Sequence, residues 1–310
     1  MRRIRAGQAA VTGRGRLRAA ASAPNNACTM VAPGSVSARR AALPALLAPV
    51  AVALGVLAMQ GAVRALAGRG VEMRTTLFLC ELLLVLPGLL LVWLVRAPVA
   101  GALALRPLSP GTAGLSLACG MTLWGASLGL FALQYALWPP PEGYLEAFRQ
   151  LHAALRPSGA ADALFSITTI ALVPALCEEA LFRGVVWSAL RAALRAGPAL
   201  ALQAVLFALI HIDATAEGGL VAYRVPFAFG VGLALGLLRM RTGSLASPAL
   251  AHGLLNAVTF LVVLLAEDPA RESDPGALAG ASLLVAGALG TALLLRVMRR
   301  EEPVAPPLPG

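Results

Sequence analysis

The sequence contains no lysine: its 25 basic residues are all arginine. Charge of either sign is scarce, at 13% of the chain, where a soluble domain carries about 25%. Hydrophobic residues make up 58% of the 310 positions, and the mean hydropathy is +0.78. These values exclude an ordinary soluble domain and define a polytopic membrane protein. Cysteine occurs four times, at Cys28, Cys80, Cys119 and Cys177, with no CxxC or other metal-ligand spacing. Three of the four lie in apolar runs, where Cys acts as a small buried hydrophobe, so neither a disulfide framework nor a cysteine metal site is expected. The motif HExxH is absent, which leaves zincin chemistry without support. The net charge of +10 would suit nucleic-acid binding. However, eight arginines fall in the first 40 residues and most of the others flank apolar spans. A nucleic-acid partner is therefore not expected. No internal repeat is visible, which counts against an inverted-repeat transporter.

What is present is a series of eight apolar runs near spanning length. They cover roughly 41–63, 75–95, 111–138, 164–194, 198–214, 220–238, 243–266 and 277–297. The expected fold is all-α and polytopic, with about eight transmembrane helices enclosing a polar intramembrane cavity. Residues 1–40 read as a basic, disordered tail, with Met30 an alternative start. Residues 41–138 hold three transmembrane helices, and 139–160 an interfacial helix. Residues 161–266 form a four-helix core that carries the polar residues, 267–300 the last transmembrane helix, and 301–310 a second tail. In the interfacial helix Tyr144, Leu145, Phe148, Leu151 and Leu155 recur at helical spacing against Glu146, Arg149 and Arg156. His152 in that helix reads as solvated. Arginine placement puts both termini in the cytoplasm: Arg96 and Arg106, Arg191 and Arg195, Arg239 and Arg241, and Arg296, Arg299 and Arg300 fall on one side. The expected location is the bacterial inner membrane, with lipid as a standing partner.

The residues that do not suit lipid carry the function. Glu178 and Glu179 are adjacent within the run from Leu164 to Leu194. Each ionised residue at a transmembrane helix centre costs about 2.5–3.5 kcal/mol. Glu179 and Arg183 are spaced i,i+4 with the acid first, the favourable order for a helical pair. Glu178 has no basic partner at i±3 or i±4 and points about 100° away from Glu179. An unpaired carboxylate in the membrane is a functional-site hypothesis by default. His211 ends the run Phe207-Ala-Leu-Ile-His211. His252 and Asn256 lie one turn apart on one helix face. Counted from the nearest chain breaks, these four residues lie at compatible depths, roughly 14 to 25 Å along their helices.

Two chemistries suit Glu178, His211, His252 and Asn256. Glu178 with the two histidines forms a zinc set that leaves a position for water. Alternatively, Glu178 and one histidine activate water directly, while the other histidine and Asn256 donate to the oxyanion. Both are water-attack hydrolases. A transporter path lined by Glu178, Arg224 and the histidines is the rival from another class. Arg224 itself reads as snorkelling from the outer end of the sixth span.

Glu178-Glu179-x-x-x-Arg183, Phe207-x-x-x-His211 and His252-x-x-x-Asn256, in this order on successive helices, resemble the CAAX protease and bacteriocin-processing (CPBP, Abi-type) family of intramembrane endopeptidases, over roughly residues 164–260. The resemblance implies an eight-helix fold with a membrane-embedded catalytic cavity. It implies that Glu178 and His211 activate water, and that His252 and Asn256 act as metal ligand or oxyanion donors. If zinc is used, Glu178, His211 and His252 hold it. Glu179, Arg183 and Phe207 are then supporting residues. The implied substrate is a membrane-associated peptide or protein, which is prenylated for the family's eukaryotic members. A non-catalytic scaffold or immunity protein of the same fold is the alternative within the family.

Overall fold

The computed structural model describes residues 36–66, 68–214, 220–265 and 276–298. Both expected tails lie outside these residues, apart from positions 36–40, and so do Glu217 and the acidic loop Glu267–Asp274. The regular elements of the described residues are helices, apart from one two-residue antiparallel pairing of Asp213–Ala214 with Leu220–Val221. The helices are α1 (Val36–Leu66), α2 (Met73–Leu94), the single turn α3 (Val99–Ala102), α4 (Pro110–Leu137) and α5 (Glu142–Leu155). A continuous helix, α6, follows over Ala160–Ala193, and then α7 (Ala196–Leu209), α8 (Val225–Thr242), α9 (Ala246–Leu265) and α10 (Ala277–Val297).

Seven of these helices are long and apolar enough to cross a membrane, so this is an integral membrane protein. The eighth expected span is α7, which is apolar but has only 14 residues. At 1.5 Å per residue it covers about 21 Å, short of a hydrocarbon core of about 30 Å. The expected end at 214 moves back because the chain turns at Ile210 and His211 and enters the small hairpin. Local chemistry sets the other ends. Ser109 caps α4 by accepting from the Thr112 amide, with Pro110 in the first turn. Gly243 ends α8 at φ 66°, a left-handed conformation that glycine adopts without strain.

Leu46, Leu57, Leu86, Trp93 and Leu137 stay exposed, as side chains facing lipid do. Inside, Leu84, Leu123, Phe182, Phe207, Leu235 and Leu255 belong to one buried cluster. Lipid tails are as apolar as leucine, so close approach and interhelical hydrogen bonds must hold the helices together. At the α4–α10 contact a Cβ on Gly129 or Gly287 would run into the backbone of the opposing helix. Thr122 and Thr291 hydroxyls bond there at 2.8 Å. Between α4 and α9, Ser116 and Ser247 do the same at 2.7 Å. The apolar face of α5 carries Tyr144, Leu145, Phe148, Leu151 and Leu155. That face is folded over the helix bundle, where it contributes to the wall of a cavity.

Candidate active site

The site is organised by α6, which is α-helical over Val173–Glu179 and widens into π-helical turns on both sides, at Thr168–Leu172 and Ala180–Val186. Such turns are rare and concentrate at functional sites. Glu178 and Glu179 lie in the α-helical segment between them and point about 100° apart.

Glu179 is fully buried. Its Oε1 accepts from Arg183 Nη1 at 2.8 Å and from His252 Nδ1 at 2.9 Å. The i,i+4 pairing expected from the sequence is therefore formed, and α9 is joined to it. Arg183 is also fully buried. Its Nη2 donates to the Gly232 carbonyl of α8 at 3.1 Å, and the Gln203 amide of α7 donates to the same carbonyl at 2.9 Å. The guanidinium carbon lies 4.3 Å from the centre of the Phe207 ring, a cation–π contact. Phe207 also meets His211 and His252, at ring separations of 4.9 and 6.0 Å. The three expected supporting residues thus form a floor that draws α6, α7, α8 and α9 together.

Above that floor, Glu178, His211, His252 and Asn256 line one cavity of about 460 Å³. Glu178 Oε2 lies 4.0 Å from His252 Nε2, beyond hydrogen-bond length, and has no hydrogen-bond partner. The unpaired acid of the sequence is met by a histidine. His211 lies just past the end of α7, not within a span, and its Nδ1 donates to the Phe207 carbonyl at 2.9 Å.

These bonds set the histidine tautomers. A carbonyl, or a carboxylate already paired with arginine, can only accept. Both Nδ1 atoms therefore carry hydrogen, and in the neutral rings both Nε2 atoms present a lone pair. His252 donates to an oxyanion from Nε2 only as an imidazolium. Asn256 carries an amide donor without that condition.

Histidines oriented through Nδ1 also suit zinc. As placed, however, no three His, Cys, Asp or Glu side chains among the described residues form a group able to hold a metal ion. The set Glu178, His211 and His252 does not meet that geometry, and no step is routed through a metal.

Two cavity residues were not apparent from the sequence reading. Glu81 on α2 lines the cavity. Its signal was an acid within an apolar span, the same signal that singled out Glu178. His152, expected to be solvated, also lines the cavity and packs on Phe148 with ring centres 3.9 Å apart. That expectation fails because the apolar face of α5 turns inward. Arg224, expected to snorkel, is likewise in the cavity wall.

Residues 160–258 match the family model described as type II CAAX prenyl endopeptidase Rce1-like. This stretch is Rce1-like. The match spans α6 through most of α9 and contains all three motifs, in agreement with the resemblance read from them. Over these residues the chain is similar to a family of proteases. No curated protein and no solved structure matches the chain.

Proposed function

We propose that this Rce1-like protein is an intramembrane endopeptidase whose attacking water is activated by Glu178 and His211. The observation that carries the reading is Glu178, whose Oε2 has no hydrogen-bond partner and which shares one cavity with two histidines and Asn256. Glu178 takes a proton from water, and the oxygen adds to the peptide carbonyl. His211 Nε2, turned outward by its Phe207 bond, is a second acceptor beside it. Asn256 and the imidazolium form of His252 donate to the oxyanion. Glu179 holds His252 and balances Arg183, and it does not touch the substrate.

The cavity wall combines these few polar groups with Leu77, Phe131, Tyr144, Leu145, Phe148 and Leu151. Such a lining suits an apolar chain, so a membrane-associated substrate, lipidated or not, enters without the loss of a polar solvent shell. Placement in a bacterial inner membrane with both termini cytoplasmic completes the reading, from the arginine distribution. The test is a comparison of membrane and secreted peptide termini between cells with the wild-type protein and cells with Glu178→Gln. New termini found only with wild type are expected. Identical termini at equal protein levels contradict the reading.

A further inference from the structure

The roles above leave one carboxyl group of the cavity unused. Glu81 lies along α2 within Leu77-Phe-Leu-Cys-Glu-Leu-Leu-Leu, and both it and Leu77, one turn earlier, line the cavity that holds Glu178, His211 and His252. α2 packs directly on the Val173–Glu179 segment of α6. As a residue Glu81 is only partly buried, because it faces the cavity. Its Oε2 is shut off from solvent and has no hydrogen-bond partner, and the same holds for Glu178 Oε2. The two carboxyl groups act on each other electrostatically. The other charged or titratable groups in the wall are Tyr135 from α4, Tyr144 and His152 from α5, His211, Tyr223 and Arg224 ahead of α8, and His252. A lone carboxyl on a lipid-crossing helix is costly to retain. Two carboxyl groups that share one cavity hold one proton between them more readily than two charges.

We propose that Glu81 is the acid of this site, donating the proton that the departing amine needs while Glu178 takes the proton from water. The proposal rests on the hydrolytic reading above. Water loses a proton to the Glu178 carboxylate as its oxygen bonds to the peptide carbon, and the carbonyl electron pair moves to oxygen. The tetrahedral species collapses and the C–N bond breaks. The nitrogen takes the proton of the Glu81 carboxylic acid, which leaves an amine and a carboxylic acid. The proton on Glu178 then returns to Glu81 through the cavity, restoring both groups. The net change is one peptide bond and one water consumed.

The test uses the full chain in lipid nanodiscs. Infrared difference spectra of wild type against Glu81→Gln at neutral pH should show a protonated-carboxyl C=O band that the substitution removes. A wild type without such a band overturns the proposal whatever the kinetics, because an ionised Glu81 has no proton to donate. Kinetics use a quenched farnesylated CAAX peptide and a matching ester whose nitrophenolate leaving group departs without a proton. Glu81→Gln should slow amide cleavage by about 10²–10⁴-fold and leave ester cleavage within a few-fold of wild type. Equal slowing of both substrates, or of neither, assigns Glu81 a packing role and overturns the proposal. Glu178→Gln should slow both. If Glu178→Gln cleaves both at the wild-type rate, the hydrolytic reading itself fails, an outcome distinct from any result at Glu81.

Discussion

Glu178 and Glu179 are neighbours in sequence with opposite surroundings. Glu179 is fully enclosed, and one oxygen accepts from both Arg183 and His252. Glu178 faces the cavity, with the nearest imidazole nitrogen at 4.0 Å and no hydrogen bond to its Oε2. The same side chain on the same helix is in one case a structural anion and in the other a reactive one. The Oε2 of each lacks a hydrogen-bond partner, so the difference is made by a rotation of about 100° around the helix and by the donors Arg183 and His252 on Glu179 Oε1, because a carboxylate that accepts from such donors is a weaker base than one that does not.

The contrast can be broken most severely at Glu178. Glu178→Gln keeps the shape and removes the base, so cleavage should fall by about 10²–10⁴-fold or more with thermal stability unchanged. His211→Ala should lose activity in the same way. Glu179→Gln should act on the fold first. It leaves Arg183 buried beside a neutral amide, a change worth about 3–5 kcal/mol, read as a lower melting temperature and lower abundance in the membrane. His252 loses its anionic partner at the same time, so the surviving folded protein should also be slower. Asn256→Ala removes one oxyanion donor and should raise the barrier by about 2.7–4 kcal/mol, seen as reduced kcat at unchanged stability.

The smallest effect lies on α5. Burial pushes the His152 imidazole below its ordinary value of 6.5, while its bond to the Phe148 carbonyl opposes the shift. With the folded value depressed, the undocked helix binds the proton more readily. Docking of α5 is therefore at full strength above pH 6.5 and weakens as pH falls below it. The protection factors of α5 amides, with intrinsic exchange at each pH divided out, should fall between about pH 6.5 and 5. His152→Gln should remove that pH dependence.

Much of this arrangement was legible in the residues. Hydropathy points to eight spans, of which seven are long enough to cross a membrane. The Glu179–Arg183 pair follows from i,i+4 spacing, and depth along the helices is compatible with one cavity for Glu178, His211, His252 and Asn256. Other features depend on tertiary context. The bond from Glu179 to His252 crosses 73 positions, and no local pattern encodes it. The widened turns of α6 leave no signature in its apolar sequence. α5 has the amphipathic spacing of a surface helix, and only the presence of a cavity beside it makes its apolar face turn inward. Glu81 was obscured because a window of hydropathy averages a single acid away, even though an ionisable residue at that depth is the costliest in its helix.

The most direct measurement of the central claim is peptide cleavage per mole of folded protein for Glu178→Gln and Glu179→Gln side by side, with the folded fraction read by thermal unfolding in the same lipid. The account predicts that Glu178→Gln is fully folded and inactive, while Glu179→Gln is depleted and destabilised with activity remaining in the folded fraction. Wild-type specific activity in folded Glu178→Gln, or a loss of folding equal in the two variants, contradicts it.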